Sequence, residues 1–339
     1  MARRSVDMAG AVMAAIGVAA LAVTVSAQAP QPAGPPGPAA ARSSKPEARK
    51  AWVMPKTPWG HPDLQGVWTT DDMLSIPMER PDQFAGRAEL TDEEFEARAK
   101  RDQAALDRNR KAVGAFRGDV GSRTFRQTSR VIEPADGRIP PTTEEARNRP
   151  AVRGGSSFGG GPFNSHQDFS LYDRCITRGI PGSMMPAIYG NAYEIVQGPG
   201  WVGIRYEMIH EARIIPLDGR PHVGKGVTLD MGDPRGHWEG DTLVVETTNF
   251  TRRSAYRNAN PETFKLIERF KPISPELVEW SVTINDPTTW TRPWTFAMNL
   301  TKGAAAQQPF EYACHEGNYG MQNMLNAARK AERDAAAAK

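Results

Sequence analysis

Between residues 192 and 300 the chain is cut into short runs of β-branched, aliphatic and aromatic residues, each bounded by Gly, Pro, Asn or Asp. The runs cover residues 192–197, 201–209, 213–217, 227–231, 242–248, 264–270, 277–284 and 294–300. Runs of this length, punctuated by turn residues, specify antiparallel strands joined by hairpins. Val202, Ile204, Tyr206 and Met208 alternate imperfectly with Trp201, Gly203, Arg205 and Glu207, which fits one packed face and one wet face. About eight such strands predict a mainly β fold, an antiparallel barrel or sandwich with peripheral helices and long loops.

The N-terminus carries a different message. Arg3 and Arg4 precede an almost uncharged apolar run over residues 8–25, which closes with Val25-Ser26-Ala27. That is the pattern of a signal peptide over residues 1–27, with cleavage after Ala27. The run approaches the length of a membrane span, but the polar, proline-rich sequence after it resembles the start of a mature chain. Adjacent arginines raise twin-arginine export, a route that Asp7, close behind them, fits poorly. The expectation is a periplasmic or secreted protein with no integral membrane span after cleavage.

Residues 28–57 hold Pro, Ala, Gly, Ser and Lys with almost no large apolar side chains, too little to offset the entropy of ordering, and read as a disordered leader. Residues 58–170 read as a loop-rich wrap with one surface helix over 91–111. Thr91 or Asp92 caps that helix, Glu93 and Glu94 fill its first turn, and Arg and Lys crowd its end. Residues 130–133 resemble a strand. The antiparallel domain follows over 171–318, and residues 319–339 read as a C-terminal helix.

A net charge of +3, without a dense basic stripe, argues against a nucleic-acid partner. Cys175 and Cys314 are the two cysteines. In an oxidising compartment such a pair reads as a disulfide, with two buried thiols as the alternative. Two are too few for a cysteine-only zinc or iron–sulfur site.

Two segments gather chemistry-bearing side chains. In Cys314-His315-Glu316-Gly317-Asn318-Tyr319, a tethered His315 beside Glu316 is a candidate acid–base pair, if Gly317 turns the chain so that neighbours cooperate. Asn318 and Tyr319 are candidate substrate contacts. In the second segment His210 and Glu211 are further catalytic candidates. Arg213, Arg220 and His222 are candidate contacts to an anionic substrate across the Asp218-Gly219 turn. The alternative is a pair of well hydrogen-bonded structural corners. His210, His222, His237 and His315 lack metal-ligand spacing, so no metal and no cofactor is expected. No Gly-x-Ser-x-Gly elbow or phosphate loop is present. Trp201, Trp238, Trp280, Trp290 and Trp294, with Tyr189, Tyr193 and Tyr206, are numerous enough for a core, and a few at a barrel mouth would line an apolar pocket.

Several segments resemble a family of uncharacterised secreted bacterial proteins: Pro58-Trp59-Gly60 with Asp63-Leu64-Gln65-Gly66-Val67-Trp68, residues 134–141, Asp218-Gly219-Arg220-Pro221-His222, Trp238-Glu239-Gly240-Asp241-Thr242-Leu243, and Glu311-Tyr312-Ala313-Cys314-His315. The resemblance implies an exported protein and brings no reaction. The Trp238–Leu243 hairpin followed by antiparallel strands is more loosely similar to lipocalin-like barrels, which implies fold alone. The leading functional expectation is a cofactor-free hydrolase or lyase acting on a hydrophobic small molecule. A periplasmic small-molecule binding protein and an envelope structural or interaction protein are the alternatives.

Overall fold

The computed structural model describes residues 52–111, 120–150, 152, 161, 163–187, 189–303, 309 and 311–338. The signal peptide and most of the leader lie outside the described residues. One antiparallel sheet contains β1 (Gly66–Thr69), β2 (Val131–Glu133), β3 (Ala192–Gly198), β4 (Trp201–Tyr206), β5 (Ala212–Pro216), β6 (Asp233–Glu239), β7 (Thr242–Thr248), β8 (Lys265–Ser274), β9 (Leu277–Asn285) and β10 (Trp294–Lys302). The described helices are α1 (Asp92–Lys111), α2 (Glu144–Asn148) and α3 (Tyr319–Ala337).

The sheet order is β5-β4-β3-β1-β10-β9-β8-β7-β6, with β2 added beside β10. The sheet curls until its two edge strands meet, making a nearly closed barrel. Gly236 on β6 permits that approach. A Cβ there would lie 2.7 Å from the side chains of both Ile215 on β5 and Leu217 just beyond it. Any larger residue would hold the seam open.

Each strand sends alternate side chains inward, as the pleat requires. On β9 Val278, Trp280, Val282 and Ile284 are buried while their neighbours are half exposed. Phe270, Trp280, Phe296 and Trp294 pack at centroid distances of 5.8 to 6.2 Å in the barrel core. Full burial of each such ring contributes about 1.5–3 kcal/mol.

The hairpins β3–β4, β6–β7 and β8–β9 all turn at one end of the barrel. The longer connections over residues 207–211, 249–264 and 286–293 gather at the other, called here the loop end. There the chain leaves β1, makes its excursion through α1, β2 and α2, and returns to β3.

Most expected strands coincide with observed ones, and one does not. Residues 227–231 form no strand; Leu229 makes only an isolated parallel bridge to Phe250. The strand lies instead at β6, whose Pro234 and Gly236 disguise it. Helix α1 carries the expected cap as a reciprocal pair: Glu94 N–H donates to Thr91 Oγ1 at 3.3 Å, and Thr91 N–H to Glu94 Oε2 at 2.9 Å. Cys175 and Cys314 are joined as a disulfide with Cα atoms 5.7 Å apart. No described helix is long and apolar enough to cross a membrane.

Candidate functional site

His315 and Glu316 sit in the turn after Cys314, both exposed. No described side chain hydrogen-bonds to either. Asn318 is engaged structurally. Its Oδ1 accepts from Met321 N–H at 3.4 Å, capping α3, and its Nδ2 donates to the Asp173 carbonyl at 2.7 Å. Tyr319 is 74% exposed.

His210 lies in a helical turn with Ile209 in the left-handed region, at φ 65°; its imidazole lies outside the described side chains. Glu211 is half buried and its Oε2 accepts from Thr177 Oγ1 at 2.6 Å. Burial pushes its carboxyl up to about 7, opposed by the Thr177 hydrogen bond and reinforced by Asp230. Arg213 points into the barrel, where its Nη1 and Nη2 donate to the two oxygens of Glu268 at 2.5 and 2.8 Å. Trp280 Nε1 donates to the same carboxylate at 3.1 Å.

Arg220 is exposed and folds back on Asp218, its Nε donating at 2.7 and 2.9 Å. His222 therefore takes its orientation from elsewhere. Its Nδ1 is 3.0 Å from Asp233 Oδ2, which also accepts from Val223 N–H at 2.9 Å. The structure thus brings Asp218 to Arg220 and His222 to Asp233. It leaves His315 and Glu316 on the surface and seals Arg213 inside.

A further cluster occupies the loop end, where two of the aromatics expected for a barrel mouth, Tyr189 and Tyr193, meet two arginines that no motif marks. The Arg178 guanidinium lies 5.3 Å from the centre of the Tyr172 ring, and its Nη1 is buried with no hydrogen-bond partner among the described residues. Burial lowers the Arg178 pKa, opposed by the hydroxyls of Tyr172, Tyr193 and Tyr189. Arg130, just before β2, donates from Nη2 to the Met73 carbonyl at 2.8 Å, while its Nε is buried with no hydrogen-bond partner among the described residues. Burial lowers its pKa to about 10, with Tyr256 and Tyr193 acting against that shift. Among the described residues, no carboxylate is one of the groups acting on either guanidinium.

Tyr193 stands within electrostatic reach of both arginines. Its hydroxyl is fixed by Thr70 and by donation to the Met184 carbonyl at 3.1 Å. The rings of Tyr189 and Tyr312 lie 5.8 Å apart with their hydroxyls 3.5 Å from one another. Tyr312 is held there by the disulfide, two residues further along the chain.

No family model and no curated protein matches the sequence. Among solved structures, a secretary abundant heat soluble (SAHS) protein from Ramazzottius varieornatus aligns with 40% of this chain and 87% of its own, at 11% identity and a TM-score of 0.23. The functional reading therefore rests on this chain's own side chains.

Two positively charged groups, largely buried, with unused donors and no opposing charge among the described residues are costly unless something supplies acceptors. The cluster offers guanidinium donors, suited to a carboxylate or phosphate, beside Tyr172, Tyr189 and Tyr193. Sequence alone could not single them out: Arg130 and Arg178 are two among 42 Lys and Arg residues. The one available signal was the position of Arg178, three residues after a cysteine.

Proposed function

We propose that this protein is an exported small-molecule binding protein. Its ligand is an apolar molecule with one anionic end, held at the loop end by Arg178 and Arg130. The observation that carries this reading is the pair of buried guanidinium groups whose donors Arg178 Nη1 and Arg130 Nε have no described partner. The tyrosine side chains beside them supply apolar ring surface for the body of the ligand, with hydroxyls to fix its orientation. An oxidising compartment suits the Cys175–Cys314 disulfide, and the signal-like N-terminus supports export.

Native mass spectrometry on protein purified from its own cell envelope tests the reading. A bound anionic molecule of a few hundred daltons supports it. A bare protein that also fails to take up long-chain carboxylates or phosphates in solution counts against it.

The hydrolase or lyase reading retains one supporting observation. Glu211, with its carboxyl near 7, suits a general base or acid at neutral pH. Turnover lost in Glu211→Gln, with ligand affinity retained, would move the assignment to an enzyme.

A further inference from the structure

On the outer surface, where the ends of β7 and β8 meet the 217–232 connection, an open cleft of about 660 Å³ has His222 in its wall. This imidazole is fixed from behind. Asp233 is 5% exposed; its Oδ2 takes His222 Nδ1 and Val223 N–H, and its Oδ1 accepts from Arg235 Nη1 at 2.6 Å. A carboxylate on Nδ1 selects the tautomer with hydrogen there, leaving the lone pair on Nε2. Nε2 is 3.4 Å from Glu246 Oε1 without a hydrogen bond between them, and Lys265 Nζ neutralises that oxygen from 3.0 Å. Lys225 and Arg252 also line the cleft, against Glu262.

We propose that this cleft is a second site, separate from the arginine–tyrosine cluster, that receives a polar small molecule carrying a phosphate or carboxylate group. His222 exchanges a proton with it. Lys225 and Arg252 attract the anion, and Nε2 accepts a proton from a ligand O–H. As the N–H bond forms, the O–H bond breaks and its electron pair stays on oxygen. Asp233 stabilises the resulting imidazolium and acts as a positioning residue. A buried orienting carboxylate behind a ring nitrogen that makes no hydrogen bond to the described residues, in the wall of a cleft that also holds Lys225 and Arg252, is what a purely structural corner would not need.

Acylation by diethyl pyrocarbonate, read by peptide mass spectrometry on the full chain, reports the free Nε2 lone pair directly. His222 is expected to react several-fold faster than exposed His237, which pairs with Glu239 at 3.1 Å. Inorganic phosphate or succinate should slow His222 saturably, and the more effective of the two identifies the anion class. Asp233→Asn should reduce the labelling rate. Lys225→Ala should weaken anion protection several-fold. Labelling of His222 no faster than His237, or equal protection by sodium chloride at matched ionic strength, overturns the proposal.

Discussion

Arg213 and Glu268 face each other across the barrel interior in a two-pronged ion pair, with side chains 2% and 0% exposed. The pair joins β5, at one edge of the sheet, to β8, two strands in from the other edge. It therefore ties the nearly closed seam from inside, where Gly236 permits it to close from the backbone side. Charges this deep are maintained by each other. Removal of one leaves an uncompensated charge in a low-dielectric core.

Glu268→Gln or Arg213→Met is accordingly expected to destabilise the fold by about 3–5 kcal/mol. Replacing both together by apolar residues of similar volume should cost less than either single change. Urea denaturation of the three variants checks the order. Additive losses would show that the two groups do not act as a pair.

Glu211 gives a pH dependence with a definite sign. Its folded carboxyl sits near 7, above its ordinary value of 4.5. Folding therefore favours the protonated form: this contribution is complete below 4.5 and is lost as pH rises through 7. The loss is on the order of 2–3 kcal/mol after allowance for partial exposure. Glu211→Gln keeps the group neutral. It should flatten this part of the stability profile and be more stable than wild type at pH 8.

The disulfide closes a loop spanning 139 positions. In the chain-entropy model such a crosslink stabilises by about 4–5 kcal/mol. The double variant Cys175→Ser with Cys314→Ser should lose stability on that scale, and reduction of the wild type should reproduce the loss. Since the bridge also holds Tyr312 against Tyr189, ligand affinity should fall in parallel. Thermal unfolding with and without reductant measures the first effect, and ligand titration the second.

Much of the fold was legible because the barrel obeys local rules. Residues 242–248 and 277–284 alternate or turn where the sheet does, and Thr91 caps α1 where the cap pattern falls. Strand β6 was not legible. Its Pro234 and Gly236 oppose strand propensity, and the reason for the glycine is a neighbour across the seam, near in space and distant in sequence. The disulfide could be read from compartment and count. The site could not. Arg213 reads in sequence as a clamp for an anionic substrate, and only the closed barrel turns it inward to Glu268. Asp218 is near His222 in the chain, yet Arg220 takes it and Asp233 orients the imidazole. Arg178 and Arg130 become distinctive only through what surrounds them, a property with no sequence pattern.

Recognition of an anionic group at the loop end is proposed to run chiefly through Arg178. Its most direct test is a fluorescence titration with a matched pair, a long-chain carboxylic acid and its methyl ester, on wild type and Arg178→Gln. Wild type should prefer the acid by tenfold or more, about 1.4 kcal/mol, and Arg178→Gln should lose most of that preference, Arg130 keeping the remainder, while staying folded. Equal affinity for acid and ester in the wild type, or a preference undiminished in Arg178→Gln, would contradict it.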